Sequence, residues 1–151
     1  PHPTPCRGRS HQAAYLWGQL EQANIINENR LSAWRFYYDS FNLNTNEFFE
    51  LQNFPHKCTH NGHIFYLKVD NLEQRTDFIQ QLKAKNIMTV FHYVPLHSSV
   101  NGLKCSVFSG EDVFTSKESE RLVRLPLWYG ISSSTQDKVV TAVKNYFKDL
   151  I

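Results

Sequence analysis

Apolar residues follow two different periods along this chain. From Gln12 onward, Leu16, Leu20, Ala23, Leu31, Trp34, Tyr38 and Phe41 recur at steps of three, four or their sums, which places them on one stripe of an amphipathic helix. The pattern predicts a long helix over roughly residues 12–41, opposed only by Gly18 and ended by Asn42, Asn44, Thr45 and Asn46. A short strand follows over residues 48–51, and a second over residues 64–69, closed by Asp70-Asn71. Leu72, Arg75, Phe78, Ile79 and Leu82 return to the helical period over residues 71–85, with Asp70 or Asn71 as N-cap and Lys83, Lys85 and Asn86 suited to the C-terminal end. Residues 87–94 read as a third strand stopped by Pro95, and residues 96–114 as a long loop without periodicity. A short helix is expected over residues 115–123, opened by Thr115-Ser116 with Glu118, then extended chain at Leu125-Pro126-Leu127. Ser132 to Thr135 caps a final helix to about Leu150, whose stripe is Val139, Val140, Val143, Tyr146, Phe147 and Leu150. Helices and strands that alternate in this way predict a two-layer α/β sandwich: a long N-terminal helix, a short mixed or antiparallel sheet and a C-terminal helix.

Composition narrows the class. The 151 residues are the length of one domain, and eleven Phe, seven Tyr and three Trp can fill a sizeable core. Sixteen basic against fourteen acidic residues leave a formal charge of +2, less than a dedicated nucleic-acid binder carries. The longest apolar candidate for a membrane span, residues 87–96, is too short and contains His92. Residues 1–11 hold three Pro and no apolar periodicity, and are expected to form an extended, poorly ordered arm. They contain no signal-peptide core, and the chain does not begin with Met, as expected of a processed or truncated chain. Cys6, Cys58 and Cys105 form no CxxC and cannot all pair, so a reduced, cytoplasmic setting is the simplest expectation.

Four constellations could carry chemistry. Cys58, His60 and His63, with distant Cys105, offer zinc-type donors, but the spacing is not that of a finger and a nearby fourth ligand is missing, so no metal is expected. Trp34-Arg35-Phe36-Tyr37-Tyr38 and Phe65-Tyr66-Leu67-Lys68 interleave aromatic and basic residues, yet their periods suit core packing better than base stacking. Cys58 or Cys105 could serve a thiol dyad, though neither stands in a recognisable motif, and no phosphate-cradling glycine loop exists. The fourth, residues 90–97, runs a strand into a loop and presents His92, Tyr93 and His97 around Pro95. Ligands of α/β folds gather at such strand ends.

The stretches Gln12-Ala-Ala-Tyr-Leu-Trp-Gly-Gln-Leu-Glu21, Asn61-Gly-His-Ile-Phe-Tyr66, Phe91-His-Tyr-Val-Pro-Leu-His97 and Glu118-Ser-Glu-Arg-Leu-Val-Arg-Leu-Pro-Leu127 resemble the C-terminal part of the DegT/DnrJ-type nucleotide-sugar aminotransferases. They come in that family's order over about residues 12–149, while residues 1–11 do not match it. Within the family the likeness is greatest to the dTDP-4-dehydro-6-deoxyglucose transaminases, which form dTDP-4-amino-4,6-dideoxygalactose for surface polysaccharides such as enterobacterial common antigen. The resemblance implies the small domain of a fold-type I enzyme. Such an enzyme uses pyridoxal phosphate to move an amino group from glutamate to a dTDP-linked keto-sugar, and works as a homodimer without nucleic acid or membrane. The Schiff-base lysine and most coenzyme ligands of that family lie in an N-terminal domain, and no motif here matches them. Lys68, Lys83 and Lys85 are therefore given no catalytic role. The chain alone is expected to be inactive and to bind the coenzyme weakly, with His92, Tyr93 and less surely His97 as substrate-binding residues. The other expectations are a non-enzymatic α/β binding or interaction module and a small zinc-binding domain.

Overall fold

The computed structural model describes residues 7–42, 48–55 and 57–150. The elements run α1 (Arg7–Glu21), α2 (Ala23–Asn42), β1 (Glu50–Leu51), β2 (Phe65–Lys68), α3 (Leu72–Ala84), β3 (Val90–Phe91), a 3-10 turn (Leu96–Ser98), α4 (Gly102–Cys105), α5 (Thr115–Arg121), β4 (Leu122–Leu125) and α6 (Ser133–Lys148). The strands form one sheet in the order β1-β2-β4-β3, and every pairing is antiparallel.

Strand alternation decides where the core lies. Phe65 pairs with Leu125 and Leu67 with Val123, so four buried apolar side chains share one face. Tyr66, Lys68, Leu122 and Arg124, all half-buried, take the other. Three helices contribute to the core on the apolar face: α2 through Trp34, Tyr37 and Phe41, α3 through Phe78 and Leu82, and α6 through Val139, Val143, Tyr146 and Phe147. Rings make much of the contact, with Tyr37 to Phe65 at 5.2 Å, Phe49 to Phe147 at 4.9 Å and Phe78 to Tyr146 at 4.8 Å between centroids. The Tyr37 hydroxyl, buried at the centre, donates to the Pro126 carbonyl at 2.9 Å. The fold class is therefore the small α/β domain expected, with an antiparallel sheet.

Several boundaries differ from the pattern. The long first helix is two helices that part at Gln22. On that stripe α2 buries Trp34 and Phe41 and half-buries Leu31 and Tyr38, whereas Leu16 and Leu20 are 57% and 59% exposed, because no layer of described residues covers that side of α1. Helix α1 begins at Arg7, so residues 7–11, expected as extended chain, are helical; the three prolines of that segment all lie at or before position 5. Residues 1–6 and the expected helix terminators Asn44, Thr45 and Asn46 lie outside the described residues.

The third strand shrinks from residues 87–94 to Val90–Phe91 because α3 ends in a turn that consumes the residues before it. Asn86 takes the left-handed conformation at φ 59°. Its N–H donates to the Lys83 carbonyl, and that of Ile87 to the Leu82 carbonyl, both at 2.9 Å. Residues 122–123, expected at the end of a helix, belong instead to β4, a central strand. Helix α5 passes directly into β4, so no Gly, Pro or Asn marks the boundary. Two caps are as expected: Asn71 accepts from the Gln74 N–H, and Ser132 from the Thr135 N–H. The third differs, since Thr115-Ser116 does not cap α5; Asp112 accepts from the Ser116 N–H at 3.2 Å.

Candidate substrate site at the exit of the third strand

β3 lies at an edge of the sheet, and His92 and Tyr93 follow it directly. Their rings lie 4.4 Å apart at 59°. The His92 imidazole is half-buried, and its Nδ1 has no hydrogen-bond partner among the described residues. Burial, then the neighbouring charges of Arg124 and His63, hold its pKa below the usual 6.5. That shift favours the neutral ring, which carries one donor and one acceptor nitrogen. Tyr93 is 69% exposed and lines a pocket of about 220 Å³ together with Arg75, Phe91, Ser116 and Ser119. The Arg75 guanidinium lies 5.1 Å from the Phe91 ring centroid and donates from Nη1 to the Ser119 carbonyl at 2.7 Å. Its buried Nε is unpartnered among the described residues.

His97 has a different setting. Its Nε2 lies 2.8 Å from Asp112 Oδ2 and 3.5 Å from Ser116 Oγ, while Ser116 Oγ donates to the same carboxylate at 2.5 Å. One ring nitrogen faces both groups, so this is no Ser-His-Asp relay, in which hydroxyl and carboxylate sit on opposite nitrogens. The cluster clamps the 96–114 segment onto the start of α5. The structure thus brings His92 and Tyr93 together and places His97 in the clamp, which adjoins the Tyr93 pocket through Ser116. From the sequence, Arg75, Arg124, Asp112 and Ser116 carry no site role: Arg75 counts only in a helical stripe and Ser116 only in a cap. Arg124 lies in the Glu118–Leu127 stretch, but a helical reading of residues 115–123 hides the strand alternation that places it on the polar face.

The histidine-rich loop packs differently from a metal centre. His60 lies between Trp34 and Phe54, at 4.3 and 4.2 Å between ring centroids, and its Nδ1 accepts from the Gly62 N–H at 3.2 Å. Cys58 and Cys105 are exposed. Among the described residues no three His, Cys, Asp or Glu side chains gather as a metal site would require. Lys68 is held at 2.6 Å by Glu50 and 2.8 Å by Glu118. Burial opposes its charge, but the hydrogen bonds to Glu118 and Glu50 outweigh burial and raise its pKa.

A wide groove of about 1120 Å³ opens between the turn after α3, the end of β4 and α6. Arg124, which pairs with Val90 of β3 across the sheet, lines it. No helix among the described residues is long and apolar enough to cross a membrane.

The uncharacterized protein MJ1066 of Methanocaldococcus jannaschii is 31% identical over 139 residues, which make up 88% of this chain and 35% of that protein. Among solved structures, DesV of S. venezuelae in complex with a ketimine intermediate superposes with a TM-score of 0.79 at 21% identity, over 89% of this chain and 35% of its own. Spr1654 of Streptococcus pneumoniae, assigned as a sugar aminotransferase and solved in its PLP form, gives 0.72 at 19% identity, over 89% and 34%. At these identities the structural likeness is one of fold, and the chain spans about a third of the length of these relatives. The model of the DegT/DnrJ/EryC1/StrS aminotransferase family matches residues 7–144, beginning inside the segment expected to be unmatched. By that match, which takes in every element from α1 to most of α6, the chain belongs to the DegT/DnrJ/EryC1/StrS aminotransferase family.

Proposed function

We propose that this chain is the small domain of a cytoplasmic, homodimeric, pyridoxal-phosphate-dependent aminotransferase. That enzyme would move an amino group from glutamate to a dTDP-4-keto-6-deoxyhexose, toward 4-amino-4,6-dideoxygalactose and a surface polysaccharide. The observation that carries the reading is that the family match runs through the exit of β3, where a neutral histidine with a buried, unpartnered Nδ1 lies against an exposed tyrosine. Two neighbouring groups that can each donate or accept suit a sugar, whose hydroxyl and carbonyl oxygens need both. His92 and Tyr93 would orient the sugar, and the His97–Asp112–Ser116 clamp would hold the loop that carries them.

Pyridoxal phosphate, when bound, supplies the electron sink for amino transfer. Three of the described lysines are poorly suited to anchor it. A Schiff-base lysine must give up its proton, whereas Lys68 is held protonated by two carboxylates, and Lys85 and Lys138 border an open groove. In this reading the lysine and the coenzyme cradle belong to an N-terminal domain of the whole protein.

The test uses the whole protein and separates its two half-reactions. His92→Ala is expected to weaken use of the keto-sugar nucleotide about two- to tenfold, the effect of one neutral hydrogen bond of 0.5–1.5 kcal/mol. The half-reaction with glutamate should stay within about twofold of wild type. If both halves fall together and the melting temperature drops, His92 is a structural residue.

A further inference from the structure

Arg75 touches both halves of the candidate site. Its guanidinium lies 5.1 Å from the ring centroid of Phe91, the last residue of β3 and the neighbour of His92. Its Nη1 donates at 2.7 Å to the Ser119 carbonyl. Ser119 sits in the last turn of α5, where a helix leaves carbonyls without an intrahelical partner. The same short helix carries Ser116 in its first turn, and Ser116 closes the clamp on Asp112 and His97. One side chain from α3 therefore joins the strand that leads into His92 and Tyr93 to the helix that carries the clamp. The pocket of about 220 Å³ is lined from both halves, by Phe91 and Tyr93 and by Ser116 and Ser119, with Arg75 among them.

The partners of Arg75 are poor ones for stability. Lys68 and Arg121 are each held by two carboxylates. Arg75 forms no ion pair among the described residues, and its buried Nε has no partner there. Burial lowers its pKa, and the charge of Glu120 opposes that shift. A half-buried cation matched by one carbonyl and one ring face gains little over an apolar side chain of the same length. What it adds is geometry. A planar guanidinium fixes a stacking plane and a donor direction at once, which neither Lys nor Met does. We propose that Arg75 is a positioning residue: it sets the distance between the strand exit at His92 and Tyr93 and the His97–Asp112–Ser116 clamp, and so the width of the pocket they share. Its effect on catalysis rests on the aminotransferase reading above; the bridge itself does not.

The test begins with the chain itself. Arg75→Met keeps the length of the side chain and removes the charge and the donors. Its melting temperature should stay within about 4 °C of wild type. Backbone amide resonances are then followed in Phe91→Leu, which takes away the ring under the guanidinium. Phe91→Leu should shift the Ser116 and Ser119 amides in the wild-type background and leave them in place in the Arg75→Met background. In the whole protein, Arg75→Met should raise the KM for the keto-sugar nucleotide about three- to tenfold, with kcat and the glutamate half-reaction within about twofold of wild type. Arg75→Lys, which restores the charge without the planar fork, should recover less than about half of that loss. A larger fall in melting temperature makes Arg75 a structural residue and overturns the positioning role. So do amide shifts that persist without Arg75, and full recovery by Lys. An active whole protein whose KM is unaltered in Arg75→Met sinks the positioning role and spares the aminotransferase reading. A bridge seen in the resonances, with no amino transfer by the wild-type whole protein, does the reverse.

Discussion

Gly62 occupies the left-handed region at φ 61°, and its Cα faces helix α2 so closely that a Cβ would lie 3.0 Å from the carbonyl carbon and oxygen of Arg30 and from the Leu31 nitrogen. Arg30 in turn donates from Nε to the Gly62 carbonyl at 3.2 Å and from Nη2 to that of His63. This explains the glycine of the Asn61-Gly62-His63 motif physically: the loop rests its backbone directly on a helix. Gly62→Ala should destabilise the chain by about 1–2 kcal/mol from the backbone conformation alone, with more from the contact, as measured by urea denaturation. A loss below half of the lower figure would mean that the loop simply lifts away. His60, two residues earlier, allows a test in pH. Burial first, then the charge of Arg35, lowers its pKa from 6.5, and His92 is lowered as well. Both rings bind protons more readily when unfolded, so the unfolded state gains on the folded one as pH falls below 6.5 toward the folded values, and the stabilisation is complete above 6.5. The urea midpoint should fall over that window, and in His60→Gln it should fall less. An identical fall in the variant would locate the acid sensitivity in other groups.

At the scale of elements, α1 stands apart. Trp17 is 67% exposed, with Tyr15, Leu16 and Leu20 also exposed on the same helix. A cluster of large apolar side chains left exposed on one helix marks an association surface. The isolated chain should therefore self-associate with concentration in sedimentation equilibrium, and Trp17→Glu with Leu20→Glu should return it to a monomer. A wild-type chain that stays monomeric at high concentration would exclude this role for α1. The contrast between α1 and α2 also shows how far the sequence was legible. Period and capping residues place α3, α6 and the face of β2 within a residue or two, because each buries its own stripe inside this chain. The same period carried through Leu16 and Leu20 says only that a helix has an apolar side, not what covers it. β4 was missed for a related reason: four residues that leave a helix without a turn carry too little alternation to be seen alone, and their pairing with β2 is a long-range fact. Local sequence put His92 and Tyr93 near the end of a strand over residues 87–94, whereas they follow a β3 of only Val90–Phe91. Arg75, whose place depends on α3 packing against α5 and β4, was not readable from local sequence.

For the whole molecule, what matters is what this domain lacks as much as what it holds. On the reading that the anchoring lysine belongs to another part of the whole protein, the chain mixed with the coenzyme and borohydride should gain no specific single-site adduct by mass and should transfer no amino group. A stoichiometric adduct at one lysine would overturn the division of labour proposed above. The position of β4 has a consequence of another kind, in the order of synthesis. β2 occupies the middle of the sheet beside β4, and Phe65 waits for Leu125, about 60 residues later in the chain. At ribosomal rates of roughly 5–20 residues per second that delay is about 3–12 s. Throughout it Phe65 and Leu67 have no β4 to close over, and α6, which completes the core, is later still. The nascent chain must therefore spend seconds with an apolar strand unpaired on one side, a window in which a chaperone or a neighbouring nascent copy can reach it first.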